Sequence, residues 1–111
     1  MSDMNDDDLL EADQEFQKAL KAFFLKNYKS FITDIKNLLD TGDFDSAYRM
    51  VHSLKGNAGQ IGKTDLQKTA MNVEQFLKGG MNNVTEDMLN ALDAELKIVL
   101  EELASVLGAD V

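Results

Sequence analysis

The sequence predicts an all-α domain, an antiparallel four-helix bundle in up-down-up-down order with a short N-terminal helical extension. Three observations predict it. Apolar residues recur at three- and four-residue steps along the chain, and no stretch alternates with period two for long. Glycines follow each amphipathic run, at Gly42, Gly62, Gly79–Gly80 and Gly108, where a left-handed residue closes a helix. The links between runs are short, which makes sequential helices antiparallel neighbours. With 111 residues, 44% of them hydrophobic, the chain suits one domain around one core.

The first helix is expected over residues 14–40, from Phe16, Leu20, Phe23, Phe24, Phe31, Ile35, Leu38 and Leu39 at helical spacing. Asp13 is its expected N-cap. Residues 1–12 form an acidic N-terminal segment in which Leu9–Leu10 can make a short extra turn; residues 13–108 are the bundle. The second helix, 44–61, begins after Asp43 as N-cap. The third, 65–78, begins at Thr64, which forms a capping-box pattern with Gln67. The fourth, 86–107, begins at Thr85, and Glu86 and Asp87 suit the dipole of its first turn. Its core face is Met88, Leu89, Leu92, Leu96, Val99, Leu100, Leu103 and Leu107.

Composition removes several functional classes. There is no cysteine, so no disulfide, thiolate metal site or cysteine nucleophile, and there is one histidine, His52. A bundle metal site built on two Glu-x-x-His motifs is therefore excluded. The net charge is −9, which disfavours nucleic acid and anionic lipid as partners. No apolar run is long enough to span a membrane. The acidic start has no apolar stretch and does not read as a signal peptide; a soluble, cytoplasmic protein is expected. Charge is uneven: residues 1–13 carry six acids and no base, whereas 46–73 carry four bases against one acid. The only histidine lies in that basic stretch.

On the second helix, Ala47, Val51, Leu54, Ala58 and Ile61 share one sector. At about 100° per residue, His52 lies roughly 130° from its centre and faces outward. Lys55, Gly56 and Gly59 share its face. Each mid-helix glycine costs roughly 1 kcal/mol against alanine, so two of them beside the only imidazole need a reason. Either another helix packs closely there, or the missing side chains leave a shelf beside the ring for a bulky group or an approaching surface. In an antiparallel hairpin turning near residue 63, facing residue numbers total about 126. His52 and Glu74 meet that condition. Glu74 borders the Leu66, Ala70, Val73, Leu77 stripe, so it is either a solvated acid or a carboxylate that reaches the ring and fixes its tautomer.

The run His52-Ser53-Leu54-Lys55-Gly56-Asn57-Ala58-Gly59-Gln60-Ile61-Gly62 closely resembles the motif of histidine phosphotransfer (HPt) domains. The helical region 14–107 also has the length and order of such a domain, with the histidine on the second helix. The resemblance implies a phosphoryl carrier without an ATP-binding kinase domain. His52 is then the phosphorylated residue, Lys55 the accompanying cation, Gly56 the clearance and Glu74 a hydrogen-bond partner of the ring. It implies as partners a response-regulator receiver domain and a sensor or hybrid histidine kinase. Docking would fall around Tyr48, Arg49, Gly59 and Gln60. No cofactor is implied for the chain itself, Mg2+ being expected on the receiver only. Met71 stands where the phosphotransfer domain of chemotaxis kinases has an additional histidine, so the chain departs from that group. The alternative is a helical-bundle interaction module that is not phosphorylated; a lost histidine or a disrupted glycine shelf would mark it, and the sequence has neither.

Overall fold

The structure, a computed structural model, describes residues 6–80 and 83–108, with side chains from Ala12 onward. It is an all-α bundle of α1 (Asp6–Asn27), α2 (Phe31–Thr41), α3 (Phe44–Gln60), α4 (Thr64–Leu77) and α5 (Glu86–Leu107), with no strand among the described residues. α3 packs against α4, α4 against α5, α1 against α5 and α2 against α3.

The helix expected over 14–40 is two helices, broken at Tyr28–Ser30. At the break Asn27 Nδ2 donates to the Phe23 carbonyl at 2.7 Å. The Ser30 hydroxyl donates to Asp34 at 3.1 Å, and the Phe31 N–H turns to the Tyr28 carbonyl at 3.3 Å. The Asn27 side chain thus offers the backbone a local partner that competes with the helix ladder. Apolar periodicity runs straight through the break, because Phe24, Tyr28, Phe31 and Ile35 keep helical spacing and are all buried. Their rings stay in contact, with centroids 4.5 Å apart for Phe24 and Tyr28 and 5.6 Å for Tyr28 and Phe31. Asn57 of α3 donates to the Tyr28 hydroxyl and ties the break to α3.

The N-terminal expectation also changes. α1 already runs from Asp6, so Asp13 lies inside it and caps nothing, and Leu9–Leu10 belong to the same helix. No glycine or proline occurs before Gly42 to interrupt it. Residues 1–5 of the expected N-terminal segment lie outside the described residues. Phe16 and Phe23, expected in the core, are exposed.

Elsewhere the caps explain the boundaries. The Asp43 side chain accepts from Ser46 N–H at the start of α3, and Thr85 accepts from Met88 N–H at the start of α5; each satisfies an orphan donor of the first turn. Gly42 closes α2 at φ 81° with its N–H on the Leu38 and Leu39 carbonyls, a conformation in which a Cβ is strained. The capping box at α4 does not form: Lys63 is the N-cap residue and makes no side-chain cap bond. Gln67 is used instead against α3, its amide filling the space over Gly59. That contact and the one between His52 and Glu74 establish α3 and α4 as an antiparallel hairpin. Lys63 Nζ binds Glu102 at 2.6 Å and fastens the hairpin's turn to α5.

The core includes Ala47, Val51, Leu54 and Ala58 from α3, Leu66, Ala70, Val73 and Leu77 from α4, and Leu92 and Leu103 from α5. Two phenylalanines of unlike exposure test this core. Phe24 is 1% exposed and Phe76 is 43% exposed. Phe24→Ala is expected to lower the unfolding free energy in urea by about 3–5 kcal/mol, and Phe76→Ala by under about 1 kcal/mol.

Candidate functional site

α3 turns Ala47, Val51, Leu54 and Ala58 inward, which leaves His52 on the outer side with its side chain 59% exposed. α4 turns Leu66, Ala70, Val73 and Leu77 inward. Glu74, next to Val73, is carried to the seam between the two helices, where its side chain is only 11% exposed.

Both Glu74 carboxylate oxygens are used there. Oε2 lies 2.6 Å from His52 Nδ1, and Oε1 accepts from Lys55 Nζ at 2.9 Å. Burial pushes the Glu74 pKa up, but the hydrogen bonds and charges of Lys55 and His52 outweigh it and hold the carboxyl below its ordinary 4.5. An ionised carboxylate only accepts, so the hydrogen between Nδ1 and Oε2 belongs to the ring. In the neutral imidazole that leaves Nε2 with its lone pair free.

The Glu74 contact with Lys55 is absent from the sequence expectation, which treats Lys55 only as a cation beside the ring. The signal was present. Lys55 is three residues from His52 on the same helical face, so a carboxylate that reaches one can reach both. Tyr48, one turn before His52, is half-buried, and its ring lies nearly parallel to the imidazole at 6.0 Å between centroids. Arg49 is exposed and paired with Asp45, and Gln60 is exposed.

The two glycines of this face differ. A Cβ on Gly56 would meet nothing within 4 Å, so the surface beside the ring is open. On Gly59 a Cβ would come 2.4 Å from Gln67 Nε2. Gly59 therefore admits α4, and Gly56 leaves room outside. Among the described residues no group of three or more His, Cys, Asp or Glu is placed to hold a metal ion, and no helix is long and apolar enough to cross a membrane.

The family model of the Hpt domain matches residues 7–105, a span that takes in all five helices except the first residue of α1 and the last two of α5. No curated protein and no solved structure matches the chain.

The lowered Glu74 pKa makes a stability prediction with a definite sign. A carboxyl depressed on folding stabilises the fold above its unfolded value, and that contribution is lost as pH falls through the folded value. Glu74→Gln is expected to cost about 1–3 kcal/mol at neutral pH. The gap between wild type and variant should close as pH is lowered below 4.5. Urea unfolding of both proteins across that range checks it; a gap independent of pH would contradict the assignment.

Proposed function

The chain belongs to the Hpt domain family, whose members are phosphotransfer carriers of phosphorelays rather than kinases, and on that premise we propose that it accepts a phosphoryl group on His52 and passes it on. The donor is a receiver-domain aspartyl phosphate or a histidine kinase, and the final acceptor is a response-regulator aspartate. In this reading α1 and α2 together supply the first of four legs, and α3, α4 and α5 the others, in up-down-up-down order. One observation carries the reading: the only imidazole of the chain is held at Nδ1 by Glu74 and is exposed beside an open glycine.

The step needs little from the carrier. The Nε2 lone pair attacks the phosphorus of the aspartyl phosphate in line, a P–N bond forms, and the P–O bond to the aspartate breaks with its electron pair leaving on the carboxylate. The Nδ1 hydrogen stays between the ring and Glu74, whose charge offsets the positive charge the ring gains. Transfer onward is the same step reversed on a second aspartate. Position and charge supply most of the rate in such phosphoryl transfers. The Mg2+ is supplied by the receiver. Lys55 both holds Glu74 ionised and stands as the nearest cation for the phosphoryl oxygens. Tyr48 and Arg49, within the turn before His52, and Gln60, two turns after it on the same helix, form the docking surface, and Gly59 lets the Gln67 side chain of α4 approach α3 closely.

Incubation with a phosphorylated receiver domain tests the proposal. Wild type should acquire an acid-labile label and His52→Gln none; equal labelling of the two would refute it. Gly56→Leu provides a second test. Nothing surrounds a Cβ there, and leucine favours the helix by roughly 0.8 kcal/mol over glycine. The variant should fold at least as stably as wild type and transfer phosphoryl groups at least about tenfold more slowly, as steric blockage of a near-attack geometry predicts. Transfer at the wild-type rate would refute the role of the clearance.

A further inference from the structure

α1 carries a second apolar face that the bundle does not use. Ala12, Phe16, Ala19 and Phe23 are all exposed, with Phe16 at 60% and Phe23 at 55%. Their spacing of four, three and four residues is that of a coiled-coil seam, and at about 100° per residue they fall in one column roughly 60° wide. The core-facing residues of the same helix, Phe24 and Tyr28, lie on another side. Exposed phenylalanines in a continuous column mark an interaction surface rather than scattered surface apolars.

Charge along α1 identifies the occupant. Every charged residue from Asp6 to Glu15 is acidic, and every one from Lys18 to Lys26 is basic. Glu15, Lys18 and Lys26 are exposed, and none of them forms an ion pair among the described residues. A helix with this division is complementary to itself when reversed. Parallel pairing would set acid against acid and base against base; antiparallel pairing sets each acidic half against a basic half. The side chains of the column also alternate in size. A two-fold axis passing between Phe16 and Ala19 sets Phe16 against Ala19 of the second copy, and Phe23 against Ala12 of the second copy. The same register brings Lys26 level with the acidic turn that carries Asp8.

We propose that this chain forms a two-fold symmetric homodimer through antiparallel pairing of α1, with the Ala12, Phe16, Ala19, Phe23 column as its seam. Such an interface is isologous and closes at two copies. Its Phe23 end borders the α3 face of the site, because Phe23 shares a groove with Arg49, Ser53 and Asn57, while the reacting ring itself is held by α3 and α4.

Sedimentation equilibrium of the full chain over a range of concentrations tests the proposal, with circular dichroism to establish that each variant is folded. Wild type should pass from monomer to dimer as concentration rises, and added salt should weaken the dimer. Phe16→Glu places a charge in the seam and should weaken it roughly a hundredfold or more, with helicity unchanged because the residue is exposed. Lys26→Glu should weaken it about tenfold, and adding Asp8→Lys to that variant should restore it. A chain that stays monomeric throughout, a dimer that Phe16→Glu leaves intact, or a charge exchange that fails to restore association would each overturn the proposal. So would a monomeric chain in which Phe16→Glu weakens receiver binding instead, because the column would then belong to the receiver.

Discussion

A single buried carboxylate joins the two helices that make the site. Glu74 accepts from His52 on one oxygen and from Lys55 on the other, so one side chain of α4 fixes two side chains of α3. Its removal from water would raise its pKa, and its contacts with Lys55 and His52 reverse that tendency. The outcome is a fixed negative charge behind an exposed ring. The orientation of the imidazole, the identity of its free nitrogen and the position of the lysine all follow from it. The contact also pins the α3–α4 register, because a hairpin displaced by one residue would carry Glu74 off the seam.

The outer face of α3 is organised by what is missing from it. Gly56 leaves open space beside the ring, while Gly59 lets the Gln67 amide approach the α3 backbone. Both glycines weaken the helix intrinsically. The neighbouring turns compensate through the Asp43 cap and four fully buried apolar side chains. A strongly packed inner face thus supports a sparsely furnished outer one. That division suits a carrier, whose reacting atom must be rigidly oriented and still be reached by another protein.

Much of this was legible in the chain. The inward faces of α3 and α4 followed from helical periodicity and the Asp43 and Thr85 caps from residue type and position, whereas antiparallel arithmetic left Glu74 either a solvated acid or a partner of His52, and the family resemblance pointed to the partner. The remainder depended on competition that a single chain does not display. The break at Tyr28–Ser30 turns on local hydrogen bonds, from the Asn27 side chain to the Phe23 carbonyl and from the Phe31 N–H to Tyr28, and apolar spacing is blind to them. The Thr64–Gln67 capping box gave way because Gln67 is occupied by the surface over Gly59, a tertiary demand outweighing a local one. Phe16 and Phe23 have the spacing of core residues, and periodicity cannot tell a face that meets the bundle from one that does not. Lys55 was legible as a cation near the ring, but its hold on Glu74 required the third partner to be in place.

Nitrogen-15 NMR of the ring tests the Glu74 account most directly, and the chain's one histidine makes the assignment unambiguous. With the imidazole neutral, long-range proton–nitrogen correlations distinguish a nitrogen that carries hydrogen from one that does not. The account predicts Nδ1 protonated and Nε2 bare in wild type, with that preference lost in Glu74→Ala. A neutral ring protonated mainly at Nε2, or a tautomer indifferent to Glu74→Ala, would contradict it.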